Sequence, residues 1–511
     1  MSQDTLEVKE ILSPQEEKFD RIRRTSGLFL APITFIVILL FPFQSLQPKS
    51  HTLAAIISLV IILWVTEAIP IPVTALLGPS LCVILGVDDI KNIFSSFSHP
   101  VIFLMIGSFI IANSIYTHGL DKRLAYKILS FKFIGSSSTR ILFAFGFISF
   151  LLSMWLSNTA TTAMMLPIGI SVLKTLTSES DSKEGETRFK KYKYSTGLML
   201  TIAFASSIGG IATPVGTPPN LIGIGMIEKY RNLKISFFSW MSFGVPISIF
   251  LFLFFCFYIS SVCPLKKSLS AENSNLFRKQ MLSLGKLNKA QINVLIAFGV
   301  TVALWVFPGF LALFLGSENE TYKFFSDIFP EAVAALIGTT LLFILPVDWK
   351  KREFTLRWKQ AADIDWGTIL LFGGGLALGE LMFKTGLAKS IGTLLIELTH
   401  VKTLLMTTLL FTIMAVIISE TTSNTASANM VIPIAIAVAK NLHINPVIPA
   451  LGACIGASLG FMLPVATPPN AIVYGSGCVP ITKMIKYGFL VDIIGIVVVV
   501  VFMHYIYPML I

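Results

Sequence analysis

From about residue 28 to its end, the chain alternates long apolar stretches with short charged patches. Apolar blocks lie near residues 28–45, 53–69, 73–87, 100–117, 141–173, 195–227 and 237–262. Others lie near 290–315, 331–346, 366–383, 403–439, 447–474 and 484–507. A helix needs about 17–25 mainly apolar residues to cross a bilayer, so the pattern predicts an all-α polytopic membrane protein. Several blocks are too long for one crossing and are interrupted by polar or proline-rich sequence. Free backbone groups at membrane depth occur only where protein or water covers them, so the interruptions are where a site is expected.

The interruptions come in pairs. Trp155-Leu-Ser-Asn-Thr-Ala-Thr-Thr-Ala-Met-Met-Leu-Pro-Ile aligns without gaps on Thr421-Thr-Ser-Asn-Thr-Ala-Ser-Ala-Asn-Met-Val-Ile-Pro-Ile, 266 residues later. Pro214-Val-Gly-Thr-Pro-Pro-Asn220 aligns on Pro464-Val-Ala-Thr-Pro-Pro-Asn470, 250 residues later. The change of spacing matches a polar insert, Lys174–Tyr194, whose counterpart is only the short Lys440–Pro446 link. A weaker match pairs Gly119-Leu with Gly386-Leu. The halves are expected at 27–263 and 290–511, after a cytoplasmic tail at 1–26 and joined by a cytoplasmic linker at 264–289. If spans alternate from a cytoplasmic tail, the two Ser-Asn-Thr segments enter from opposite sides, which is the inverted-repeat plan of secondary transporters.

Each motif brings chemistry that a continuous helix lacks. Ser157-Asn158-Thr159 and Ser423-Asn424-Thr425 lie midway along apolar stretches, which predicts two helical hairpins that dip in and return. Thr217-Pro218-Pro219-Asn220 and Thr467-Pro468-Pro469-Asn470 break two further helices, because proline removes amide donors. Unwound carbonyls and hydroxyls suit a hard monovalent cation, and helix N-termini suit an anion. A single Ser-Asn-Thr is more often helix-packing glue; two co-linear pairs of motifs argue for a site. Gly373-Gly-Gly375 follows no predicted strand and reads as close helix packing. Glu67, Glu380 and Glu420 are acids in or near spans and therefore functional suspects. For Glu67 and Glu420 a structural role, bonding backbone groups at helix breaks, comes first.

Composition and charge narrow the function class. Of the 511 residues, 54% are hydrophobic and 13% charged, against about a quarter charged in soluble proteins. The net charge of +11 does not signal nucleic acid. Most Lys and Arg fall in alternate inter-span segments, beginning with Lys18, Arg21, Arg23 and Arg24, and the loop around 317–331 is acidic. This is the positive-inside bias and puts the N-terminus in the cytoplasm of a cell membrane, plasma or bacterial inner. The five Cys show no metal-ligand spacing or disulfide framework. No phosphate-binding G-x-x-x-x-G-K-[ST] loop is present, so direct drive by ATP is not expected. No His-rich or paired-Asp pattern supplies an intramembrane enzyme. A binding-only receptor leaves the two symmetric halves unexplained.

Trp64-Val-Thr-Glu-Ala-Ile-Pro70, both Ser-Asn-Thr motifs and both Thr-Pro-Pro-Asn motifs, in this order, resemble the divalent anion–sodium symporter family. The likeness covers the chain after residue 25. It implies a homodimer of protomers with eleven spans and two re-entrant hairpins, working as an elevator. It implies one sodium site at Ser153, Ser157, Asn158 and Gly216, and a second at Ser419, Thr422, Asn424 and Ala466. It implies substrate contacts from Asn158, Thr159, Asn424 and Thr425, with Thr217, Pro218, Thr467 and Pro468 closing the pocket. Sodium is then co-transported and no organic cofactor is involved. Neither signature contains Lys, Arg or His, which favours symport over exchange. The leading expectation is sodium-coupled symport of C4-dicarboxylates (succinate, malate, fumarate) or related di- and tricarboxylates. A sodium-independent dicarboxylate exchanger and a sodium–sulfate symporter are the alternatives.

Overall fold

The computed structural model describes residues 14–41, 43, 46–135, 137–178, 193–231, 233–264, 272–316 and 318–510. Residues 1–13, 179–192 of the polar insert and 265–271 of the expected linker lie outside this range. Among the described residues the regular structure is helical, apart from one two-stranded antiparallel ribbon of Pro346–Asp348 with Glu353–Phe354. Among the described residues nine helices are long and apolar enough to cross a membrane. They become ten if Glu320–Ile328 and Glu331–Ile344, bent by 54°, form one span. The first helix begins at Pro14, inside the segment expected as a tail, and Glu272–Ser283 within the expected linker is helical. Large apolar side chains such as Phe29, Phe257 and Phe314 face outward, as a lipid-facing surface requires.

The long apolar blocks resolve into paired helices, broken where the motifs predict. Ser138–Ser153 and Asn158–Ser178 form the first hairpin. Leu404–Thr421 and Asn424–Asn441 form the second. Lys193–Ile211 is separated from Pro218–Arg231, and Val447–Gly456 from Pro468–Gly475. Each hairpin's second leg and each Pro-Pro helix starts at its motif, because Ser or Thr caps a helix start and proline fits the first turn. Ser423 accepts a hydrogen bond from the Ala426 amide at 3.2 Å, and Thr467 from the Asn470 amide at 3.3 Å.

The same order of elements occurs twice. Pro100–Thr117, a short helix Leu120–Leu129, a hairpin, a broken helix and Phe237–Val262 make the first set. Trp366–Thr385, Leu387–Thr399, a hairpin, a broken helix and Ile481–Val501 make the second. The joints Gly119 and Gly386 have φ of 65° and 85°, a left-handed turn that glycine adopts without a Cβ penalty. The two short helices that follow are amphipathic, Leu120–Leu129 burying Leu120, Ala125 and Leu129 and Leu387–Thr399 burying Leu387 and Ala388.

Packing interweaves the halves. Ile71–Ile84, from before the first set, lies against Trp366–Thr385 of the second. Glu331–Ile344, from before the second set, lies against Pro100–Thr117 of the first. Both contacts need backbones in close approach. A Cβ on Gly107 would lie 2.6 Å from the Ala335 Cβ, and one on Gly374 only 2.2 Å from the Ala75 carbonyl oxygen. Gly373 meets Phe97 and Gly375 meets Asn429 in the same way, so the three-glycine run serves packing. Lys193–Ile211, buried from Tyr194 onward, runs through the interior.

These approaches predict opposite outcomes for two glycine substitutions. Gly374→Ala should lower the thermal unfolding midpoint in detergent by several degrees, since a backbone oxygen blocks the new methyl. Gly299→Ala, on an exposed helix face with nothing within 4 Å, should leave it unchanged or raise it, because Ala is the better helix former by roughly 1 kcal/mol.

Candidate functional site

The two hairpin tips and the two helix breaks meet at one cavity of about 620 Å³. Its lining includes Ser157, Asn158, Thr159, Gly216, Thr217 and Pro218 from the first half. From the second it includes Asn424, Thr425, Ala466, Thr467 and Pro468. Of the residues implied for sodium and substrate, Ser153, Ser419 and Thr422 do not line it. All three are buried behind the tips.

Behind each tip the same polar contact recurs. The Ser153 hydroxyl donates to Asn158 Oδ1 at 2.6 Å, and the Ser419 hydroxyl lies 2.7 Å from Asn424 Oδ1. Ser419 is also 2.8 Å from the Ala457 carbonyl. One hydroxyl proton serves only one acceptor at a time, so the second oxygen cluster is richer than the first. Glycine admits the first asparagine, since a Cβ at Gly210 would lie 2.5 Å from Asn158 Oδ1, whereas one at Gly460 would lie 3.7 Å from Asn424 Oδ1, an ordinary contact. A Cβ at Gly216 would lie 2.5 Å from the Gly210 carbonyl, whereas its counterpart Ala466 carries that methyl and stays buried. Two clusters of hydroxyl, amide and main-chain oxygen thus flank the cavity, the donor type that a small hard cation takes.

The breaks are held open by two residues that the sequence motifs contained but that were not assigned a site role. Asn220 donates through Nδ2 to the Gly210 and Thr213 carbonyls at 2.9 and 2.8 Å. Asn470 donates to the Gly460 and Leu463 carbonyls, both at 3.0 Å. Each asparagine is fully buried, and its acceptors sit 10 and 7 residues earlier. The recurrence of Gly, Asn and these spacings at the 250-residue offset was the available signal.

Other expectations shift. Ser157 accepts from the Ala160 amide at 3.1 Å and so caps the second leg, as Ser423 does. Ser157 and Thr422, paired in the two implied cation sets, are therefore not equivalent positions. Thr422 instead contacts the Ile418 carbonyl at 3.0 Å. Glu420 accepts from the Met462 and Leu463 amides at 2.8 and 3.0 Å, tying the second hairpin to the loop of the second break. That is the backbone role read from the sequence, and its first-half counterpart is Met154. Glu67 ends its helix with φ 49°, and among the described residues its carboxylate bonds no backbone group. Its carboxylate pairs instead with Arg23 at 3.2 Å and Arg24 at 3.8 Å, because the first helix brings both basic residues over the turn. Glu380 pairs with Lys229 at 2.5 Å and with the Ser96 hydroxyl at 3.1 Å.

Four helix N-termini built on the motifs border the cavity, those of Asn158–Ser178, Asn424–Asn441, Pro218–Arg231 and Pro468–Gly475, and the starts of Ile71–Ile84 and Trp366–Thr385 also reach it. Each carries roughly half a positive charge in its first turn. Among the described residues no Lys, Arg or His lines the cavity, and the charged ones that do are Asp363 and Asp365. A cavity lined in this way offers an anion dipoles and hydroxyls rather than a counter-charged side chain.

Comparison with known proteins adds likenesses of sequence and of fold. A family model described as the sodium:sulfate symporter transmembrane region matches residues 23–511. A sodium-dependent dicarboxylate transporter of Staphylococcus saprophyticus is 34% identical over 97% of this chain and 93% of its own length. Its Staphylococcus aureus counterpart is 33% identical over 94% and 91%. Among solved structures, the Alcanivorax borkumensis YdaH transporter matches with a TM-score of 0.54 at 13% identity, covering 96% of this chain and 99% of the other. Neisseria gonorrhoeae MtrF matches with a TM-score of 0.53 at 14% identity over 83% and 84%. These two share the fold alone.

The glycine contacts generate a graded prediction. Gly210→Ala should displace Asn158 and raise the sodium concentration needed for half-maximal transport by about tenfold or more. Gly460→Ala, whose nearest neighbour is 3.2 Å away, should raise it only a few-fold. Sodium titrations of uptake for the two variants, beside the wild type, check the order.

Proposed function

The chain belongs to the sodium:sulfate symporter family, and from that premise we propose that it carries C4-dicarboxylates across the cell membrane together with sodium. The observation that carries the proposal is the single cavity where two duplicated oxygen clusters flank four helix N-termini without one basic residue. Such a site holds a dianion weakly by itself, and sodium beside it supplies the missing positive charge. The first cation is held by Ser153, Ser157, Asn158 and the main chain around Gly216. The second is held by Ser419, Thr422, Asn424 and the main chain around Ala466. Asn158, Thr159, Asn424 and Thr425 meet the two carboxylates, and Thr217, Pro218, Thr467 and Pro468 form the floor. Gly216 and Ala466 can contribute only main-chain oxygen, which a cation accepts as readily as a hydroxyl.

Movement follows the family pattern. The hairpins and broken helices form the part that carries substrate, and the remaining helices, paired as a homodimer, form the stationary part. The N-terminus is cytoplasmic and the two halves are inverted, consistent with the distribution of basic residues. Symport is favoured over exchange because no cationic side chain stands in either cation cluster. Sulfate is the second substrate reading, since the matching family model is described by that anion.

Labelled succinate uptake into proteoliposomes tests this directly. An inward sodium gradient should drive accumulation, and choline in its place should abolish it. Asn158→Ala and Asn424→Ala should each cut uptake at least tenfold while the protein still assembles. Equal uptake in sodium and choline, with a requirement for dicarboxylate inside, would make the protein an exchanger. Sulfate uptake without competition from succinate would make it a sulfate carrier.

A further inference from the structure

The cavity has two unlike walls. One is made of the hairpin tips and helix breaks, and its side chains are uncharged. The other comes from the end of Pro100–Thr117 and from the turn that enters Trp366–Thr385, and it presents Asp363 and Asp365. An anion site bordered by carboxylates is electrostatically unfavourable, so each acid needs a reason to be there. Asp365 has a structural one: it caps the helix, accepting from the Thr368 amide at 3.0 Å and from the Thr368 hydroxyl. Asn would keep the bond from the Thr368 amide, while the carboxylate uses both its oxygens and gains from the helix dipole.

Asp363 has no such reason. It is exposed, and among the described residues no salt bridge or side-chain hydrogen bond involves its carboxylate. Its backbone is nevertheless fixed, since Asn113 Nδ2 donates to the Asp363 carbonyl at 3.1 Å and to the Gln360 carbonyl at 2.8 Å. The nearby Arg357 turns to Glu353 at 3.8 Å and does not line the cavity. Two negative charges are thus held at the cavity wall with no basic residue in the lining to offset them.

We propose that Asp363 and Asp365 set the charge selectivity of the anion site, penalising each added negative charge on the ligand and so holding the site to dianions against trianions. The proposal rests on the dicarboxylate reading of the cavity. A carboxylate about 8 Å from one unit of ligand charge weakens binding by roughly 2- to 30-fold between the dielectric of water and that of a protein surface. A ligand with a third negative charge meets this penalty once more than a dianion does. Neutralising the acids therefore helps a trianion more than a dianion. Salt in the open part of the cavity screens the effect.

The test is equilibrium competition against labelled succinate on the purified full-length protein in sodium, using unlabelled succinate and fully ionised citrate near pH 8. Asp363→Asn, Asp365→Asn and the double variant are compared with the wild type, with thermal unfolding as the folding control; Asn keeps the helix cap. The double variant should raise citrate affinity relative to succinate by about fivefold or more, with Asp363→Asn giving part of the gain. Added choline chloride should shrink the difference between wild type and variant. Intact succinate binding with an unchanged citrate-to-succinate ratio would overturn this proposal alone. No succinate binding by the folded wild type would overturn the dicarboxylate reading and the proposal with it.

Discussion

The side-chain amides of Asn220 and Asn470 carry the constraint on which the rest of this structure depends. A helix broken inside an apolar envelope exposes backbone groups, and each one left unpaired costs several kcal/mol. Each asparagine meets that requirement by donating two hydrogen bonds back across its break, to carbonyls 10 and 7 residues earlier. The unwound segment is thereby kept open rather than collapsing into continuous helix. The Thr-Pro-Pro sequence before each asparagine makes rewinding harder still, since neither proline can donate an amide. Once the breaks are fixed, the cavity, the four helix N-termini and the oxygen clusters follow from where the hairpin tips dock.

Duplication supplied the frame, and the halves then diverged inside it. The Ser–Asn contact behind each tip has almost the same length in both, and the asparagine clamps match bond for bond. Around them Gly216 faces Ala466, Met154 faces Glu420 and Trp155 faces Thr421. Trp155 stacks near Phe237 at 6.1 Å and meets Phe298 edge-on at 5.2 Å, which braces the first tip with aromatic packing. The second tip is braced by the Glu420 carboxylate on two loop amides instead. The two clusters therefore differ in stiffness and in the oxygens they offer.

The repeat, the hairpins and the convergence of the motifs were legible because a polar residue in a long apolar run stands out. Ser157, Asn158, Ser423, Asn424 and both Pro-Pro pairs announce themselves in this way. The crossed packing of Ile71–Ile84 and Glu331–Ile344 left no such trace. It depends on Gly107 and Gly374, and a glycine that permits close approach looks in sequence like any other membrane glycine. Asp363 and Asp365 were hidden for the opposite reason: they close a stretch from Lys350 so rich in charge that no single acid stands out. Glu67 was placed rightly at a helix end but given the wrong partner, because Arg23 and Arg24 lie 44 and 43 residues earlier. The linker helix Glu272–Ser283 was missed because its charges mark it as solvated without revealing its conformation.

An anion bound by dipoles and hydroxyls, with cations as its only nearby positive charges, must bind together with those cations. Equilibrium binding of succinate to the purified protein, in sodium and in choline at equal ionic strength, measures this most directly. The account predicts a dissociation constant at least about tenfold lower in sodium, with succinate lowering the sodium requirement by the same factor. Equal succinate affinity in the two salts would contradict it and would mean that the four helix N-termini hold the anion unaided.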